Sequence, residues 1–362
     1  MSELNSERES ELTEIESYSS DGRIGNVQIV DVATPQEISY VYYTLMFLFV
    51  FCIGCIQVVQ TGINVSLSRS LNNFFLSSFV SFCVAFTGSL PFCYPGPPLI
   101  EVRKKLSTFP KFTLIGGPLG SIYILSTTIV PPVLGFAFFF LLIVLGQLIM
   151  SVILDHYGIL VQARRITITR LSGVFLTIAG IVMVQFIHSD GSLGNGNFSP
   201  VTLAFSILFS LAAGGFLPIQ AILNGKLTKE LTGTAMRSAF VSLFCSILFA
   251  IIPTVLSLIW IPVEYEDEGW WTWFGGLAGT LFIGAGAFFP GYIGVASFFV
   301  ILICGQLACA LIFDHYGAFH FEEVSIKWYR VFGALVAVIG AALVSSDFNL
   351  KSSFSRLINV GQ

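Results

Sequence analysis

The chain has 362 residues, 55% of them apolar and only 10% charged, with a mean hydropathy of +0.84 and a formal net charge of −4. A soluble globular domain carries about 25% charged residues, so the composition excludes an ordinary soluble enzyme or binding domain, and no nucleic-acid partner is expected. Apolar stretches of about 20 residues, each long enough to cross a ~30 Å hydrocarbon layer, recur from Tyr40 to Ser346, and their continuity speaks against the alternating pattern of a membrane β-barrel.

Residues 1–38 are chemically different. The stretch MSELNSERESELTEIESYSSDGR is acidic, rich in Ser and poor in aromatics. It reads as a disordered cytosolic tail, without the basic and apolar regions of a signal peptide. The first predicted span, 40–62, contains Cys52 and Cys55. Nothing basic flanks this CxxC, so it reads as two buried small hydrophobes and not a redox or metal site. Gln60 and Asn64 follow, four residues apart and therefore on one helix face. After the second span, 73–94, comes a basic loop with Arg103, Lys104, Lys105 and Lys111. The third span, 112–130, opens with IGGPLG and is broken by Pro131 and Pro132 from the fourth, 133–154. The fourth holds Gln147 and closes on Asp155, His156, Tyr157 and Gly158, and Arg170 opens the fifth, 171–187. The sixth span, 201–223, repeats the amide pair as Gln220 and Asn224. The seventh, 237–261, leads to an acidic loop with Glu264, Glu266, Asp267 and Glu268. The eighth, 271–289, carries FGGLAG and is joined by FPGYIG to the ninth, 293–313, with Gln306 and then Asp314, His315, Tyr316 and Gly317. Arg330 opens the tenth, 331–346, and residues 348–362 form a short cytosolic tail.

The phrase LGQLIMSVILDHYG, ending at Gly158, returns 159 residues later as CGQLACALIFDHYG, ending at Gly317. Gly116, Gly117 and Gly120 match Gly275, Gly276 and Gly279 at the same spacing. At a spacing of 160 the pairs are Gln60/Gln220, Asn64/Asn224, Arg170/Arg330, Gly173/Gly333 and Gly180/Gly340. This ordered series marks a tandem duplication, with one unit over 39–190 and the other over 200–347. Five spans is an odd number, so the second copy enters the membrane upside down. The loops agree, the basic loop of the first copy being replaced by the acidic loop of the second. With the N-terminus in the cytosol, 14 of the 17 Lys and Arg fall on the cytosolic side. The expected fold is an all-α polytopic membrane protein of ten transmembrane helices in two inverted five-helix repeats. Secondary transporters recurrently use this architecture, with the site near the repeat interface.

The recurring residues are the candidates for function. The six glycines let another helix approach closely, as packing or as a sliding contact. The amides Gln60, Asn64, Gln220 and Asn224 suit a solute-facing or gating role, or act as glue between helices. Gln147 and Gln306 lie deeper, as solute contacts or interhelical bonds. Asp155 and Asp314 close their helices against the macrodipole, so the pairs Asp155–Arg170 and Asp314–Arg330 are expected. With His156 and His315 beside them, these pairs form either a structural clamp or a proton-responsive gate.

The stretches IQAILNGKL, WWTWFGGLAGTLFI, FFPGYIGVASFFVILICGQLACALIFDHYGAFH and YRVFGALVAVIGAALV closely resemble the YdcZ (DUF606) family of the drug/metabolite transporter superfamily. Its members are commonly single five-span units, and this chain is similar to two of them fused. The resemblance implies spans 1–4 and 6–9 around a central cavity, spans 5 and 10 at the periphery, and export of small metabolites. The functional expectation is a secondary transporter of a small organic solute, proton-coupled or a facilitator, multi-pass in the plasma membrane or an internal membrane with both termini cytosolic. The rival is a non-transporting scaffold, receptor or lipid-handling protein. No HExxH, GxSxG or P-loop is present, so neither enzymatic activity nor a metal or cofactor is expected. The expected partners are the solute and the bilayer, with protons and a second copy of the chain left open.

Overall fold

Lipid offers the backbone no hydrogen bonds, so apolar stretches of this length must satisfy their own N–H and C=O groups as helices. The computed structural model describes residues 40–93, 99–105, 107–158, 167–186, 198–289 and 295–345. Both tails and the PGYIG link at 290–294 lie outside this set, and the contacts below all fall within the unit Tyr43–Gln362. Ten helices of 14 residues or more stand among the described residues, one for each predicted span. They are α1 Tyr40–Ser70, α2 Phe74–Ser89, α3 Gly116–Ile129, α4 Phe136–Tyr157, α5 Ile168–Phe186, α6 Pro200–Leu227, α7 Ala235–Trp260, α8 Gly275–Phe288, α9 Val295–His315 and α10 Trp328–Ser345. Seven spans, containing α1 to α4, α6, α7 and α9, are long and apolar enough to cross a bilayer, and α5 and α10 are shorter apolar helices. The protein is an all-helical, multi-pass membrane protein.

Two helices run further than expected. α1 continues to Ser70, and α6 to Leu227 with a π-helical turn over Thr228–Thr232. The amide pairs therefore lie inside helices and not at their ends. The halves also share local chemistry. Asn73 accepts from the Leu76 N–H to cap α2, and Thr234 accepts from the Arg237 N–H to cap α7. Each follows a left-handed residue, Asn72 (φ 49°) or Gly233 (φ 72°). Asn73 also bonds Ser257 at 3.0 Å. Asn73→Ala is expected to cost about 1–2 kcal/mol by loss of cap and cross-repeat bond together. Thermal unfolding of the purified protein measures this, and a loss under about 0.5 kcal/mol would show that the cap is dispensable.

Inversion of the repeats is visible in their contacts. A Cβ added at Gly173 would stand 2.6 Å from the Gly340 oxygen, and one at Gly333 2.8 Å from the Gly180 oxygen. As α5 ascends from 173 to 180, α10 therefore descends from 340 to 333, so the two equivalent helices are antiparallel. α2 and α7 behave alike: Asn73 meets Ser257, Thr254 donates to the Phe75 oxygen at 3.4 Å, and Phe86 stacks on Phe240. Several contacts between halves recur with the partners exchanged, the mark of a two-fold relation. Ser121 donates to the Ser246 oxygen (3.1 Å), and its counterpart Thr280 donates to the Ala85 oxygen (2.9 Å). Within each half the same bond also recurs: Ser77 donates to the Asn64 oxygen and Ser238 to the Asn224 oxygen, both at 2.7 Å.

The first ten residues of α4, Phe136 to Leu145, are all buried, as expected of a helix apolar on every side. It packs on α6 through Gly146 and Gly214, and α9 packs on α1 through Gly305 and Gly54. Exposed Trp260, Trp270 and Trp328 gather at the end of the molecule where α7 finishes and α8 and α10 begin, as in the interfacial aromatic belts of membrane proteins. Glu266 bonds Ser70 at that end, while Arg237 reaches the Cys93 oxygen at 2.9 Å at the opposite end. Acidic and basic loops are thus on opposite faces.

Candidate functional site

Between the repeats lies a central cavity of about 40 Å³. Its walls come from α1, α2 and α3 of one half and α6, α7 and α8 of the other, in two-fold-related pairs such as Gln60/Gln220, Gly120/Gly279 and Ile124/Ile283. The expectation of a cavity ringed by eight helices is corrected. α4 and α9 stand behind the walls, because each is consumed by the glycine-mediated packing on α6 or α1. At about 10–15 Å³ per water on this measure, the cavity in this conformation has room for a few waters.

The amides and the glycines turn out to be one interaction. Gln60 lies against Gly279 and Asn64 against Gly275; Gln220 lies against Gly120 and Asn224 against Gly116. Each half thus presents an amide pair from its first helix to the glycine face of the third helix of the other half. Only a residue without a Cβ leaves space for a carboxamide there. Gln60 and Gln220 line the cavity, with Asn64 and Asn224 one turn beyond them toward opposite faces. Gly117 and Gly276 serve a different contact, meeting the backbone of α7 and α2.

The two ends differ. Gln60 and Asn64 are buried, while Gln220 and Asn224 are half-buried. At the first end Phe319, in the left-handed region (φ 58°), lies over Gly62. The Arg69 guanidinium donates to the Phe319 oxygen and sits 4.9 Å from the Phe321 ring centroid. At the second end Gly225 has nothing within 4 Å of where a Cβ would be. The first end is the more tightly closed.

Gln147 and Gln306 do not line the cavity. Gln306 donates to Gln57, and Gln57 donates to the Tyr123 hydroxyl at 2.6 Å, so Gln306 reaches the cavity only through Gln57 and Tyr123. Gln147 is buried, and its Oε1 has no hydrogen-bond partner among the described residues.

Asp314 pairs with Arg330 at 2.7 Å, both side chains buried. Its carboxylate also accepts the Phe136 and Ala137 N–H groups at 2.9 and 3.2 Å. An acid at the C-terminus of α9 is thus offset by an arginine and by the free N–H groups of α4 from the other half. The Asp155 side chain lies outside the described set; Arg170 donates through Nε to the Val344 oxygen at 3.1 Å. His315 accepts from the Ile326 N–H at 3.3 Å, and His156 is exposed. Among the described side chains, Asp314, His315 and His156 make no contact with the amides. Cys52 is exposed on the outer face of α1 and Cys55 is half-buried, its thiol donating to the Gly305 oxygen at 3.4 Å. The reading of both as buried is corrected, since the helix turns one of them outward.

Gln57, Tyr123, Ser81, Ser242 and Ser246 were not singled out from sequence. Gln57 shares a helix face with Gln60 and Asn64, which is the signal that could have found it. Its counterpart, however, is Leu217, and that of Tyr123 is Phe282. The serines sit in α2 and α7, where one further residue moves the repeat spacing to 161.

Two inverted five-helix units around a central cavity lined mostly by apolar side chains, with Gln60 and Gln220 among them, have the architecture of inverted-repeat membrane transporters. The chain belongs to the family described as "Putative inner membrane exporter, YdcZ", which matches it twice, over residues 45–183 and 205–343. The comparison with curated proteins gives no match. A solved structure described only as "Crystal structure of protein" is similar over 84% of this chain and 96% of its own, at 13% identity and a TM-score of 0.52, a likeness of fold alone.

Proposed function

We propose that this protein moves a small organic metabolite across the membrane by alternating access, the two halves rocking about the central cavity. The observation that carries the reading is the amide-on-glycine contact at both ends of one central cavity. Each contact is a weak polar seal without fixed charge, so either can part without exposing an ion to lipid. The tighter end, at Gln60 and Asn64, would be the closed gate of this conformation, and the half-buried Gln220–Asn224 end the one that opens first. With the N-terminus in the cytosol, as the Lys and Arg distribution supports, the looser end faces the cytosol, the loading side for an exporter. Asp314 and Arg330 hold α9 to α4 across the repeats. Protonation of that carboxylate would release the clamp and couple transport to protons.

Release of solutes from proteoliposomes, with and without a pH gradient, tests the reading. Gln60→Leu and Gln220→Leu are each expected to lower transport at least tenfold, since a branched apolar side chain no longer fits over the facing glycine. Transport at wild-type rates in both variants would remove the gates. No release of any solute by correctly inserted protein would favour a scaffold or receptor. Labelling around Lys104 and Glu266 is expected to reach them from opposite compartments.

A further inference from the structure

The cavity is lined by two-fold-related positions that differ in chemistry, and we propose that this asymmetry selects an uncharged, amphipathic solute through the hydroxyl of Tyr123. The inference rests on the transport reading and names its substrate class. Three positions break the two-fold relation: Tyr123 faces Phe282 as its counterpart, Ser246 has Ala85, and Gln57, behind Tyr123, has Leu217. Each pair sets a polar group in one half against an apolar one in the other. The lining contains no Asp, Glu, Lys, Arg or His, so a charged solute would find no counter-ion when the cavity closes.

The direction of the hydrogen bonds decides what Tyr123 offers. Gln306 donates its amide N–H to the Gln57 oxygen, and Gln57 then donates its own N–H to the Tyr123 oxygen at 2.6 Å. The phenol oxygen is thereby engaged as an acceptor, and its O–H is directed elsewhere. No acceptor for that O–H stands among the described residues, although Tyr123 is buried and lines the cavity. A polar hydrogen in such a place wants an acceptor, and a carbonyl or hydroxyl oxygen of the solute supplies it. The apolar counterparts Phe282, Leu217 and Ala85 take the other end of the molecule. Tyr123 is then the specificity-determining contact, and Gln57 and Gln306 are positioning residues that fix the direction of its hydrogen.

The test uses full-length protein in proteoliposomes loaded with a small-molecule extract of cultured cells, with released solutes identified by mass spectrometry and sorted by net charge. Uncharged solutes bearing a carbonyl or hydroxyl beside an apolar portion are expected to be released. Tyr123→Phe should lower Vmax/KM for them at least tenfold, mainly through KM. Gln57→Leu should raise KM and blunt the preference for uncharged solutes with little change in Vmax, an effect that a merely structural role would not produce; it carries the same test if Tyr123→Phe fails to insert. Phe282→Tyr added to Tyr123→Phe should not rescue, because Leu217 and not a Gln stands behind it. Release confined to carboxylates or amines, or Tyr123→Phe within twofold of wild type, overturns the assignment and leaves transport standing. Release of nothing by inserted protein removes the transport reading and this assignment with it.

Discussion

Arg330→Met is expected to destabilise the protein by about 3–5 kcal/mol, because it leaves a buried carboxylate without its counter-ion. Asp314 and Arg330 are both buried and stand 2.7 Å apart. The two N–H groups of α4 remain to Asp314 in the variant, but they carry only partial charge. The damage should spread across the repeat interface, since the same carboxylate ties the end of α9 to the start of α4. Asp314→Leu combined with Arg330→Met should be milder than Arg330→Met alone, because no ion is then left in an apolar setting. Thermal unfolding in detergent, with monodispersity on gel filtration, measures both. A loss below about 1 kcal/mol for Arg330→Met would mean that the pair is hydrated and that the clamp is not structural.

The second large effect is expected at the cross-repeat glycines. A Cβ at Gly117 would stand 2.5 Å from the Ser242 oxygen and 2.8 Å from the Ser246 nitrogen, both backbone atoms of α7. Backbone cannot swing aside as a side chain can, so Gly117→Leu must push α3 and α7 apart. Overpacking of this kind costs about 1–3 kcal/mol, and the bonds from Ser121 to the Ser246 oxygen and from Ser246 to the Gly117 oxygen would lengthen with it. Gly225 is the internal control. It lies in α6 with nothing within 4 Å of a Cβ, so Gly225→Ala should be neutral or stabilise by up to about 1 kcal/mol through helix propensity. Equal thermal stability of Gly117→Leu and Gly225→Ala would refute the close approach of α3 and α7.

The repeats make some of this legible in advance and hide the rest. Gln60, Asn64 and the GGxxG faces recur in both halves, so each was visible in the chain. Their mutual contact was not, because Gln60 meets Gly279 and Asn64 meets Gly275, more than 200 residues away. Recurrence is a filter as well as a signal. It passes what the two-fold relation requires and discards what breaks it, which is why Gln57 and Tyr123 went unnoticed opposite Leu217 and Phe282.

The amino-acid sequence by itself determined that the chain crosses a membrane as helices, how many there are, and that the second unit is inverted. Hydrocarbon forces every long apolar stretch to close its own hydrogen bonds, and an odd span count reverses the copy. Only the tertiary structure decided that α4 and α9 stand behind the cavity, that the amides seat on glycines, and that Asp314 caps a helix 178 residues back in the chain at Phe136. Those outcomes depend on how helices cross and which Cβ is missing where they touch, and local periodicity carries no information about either.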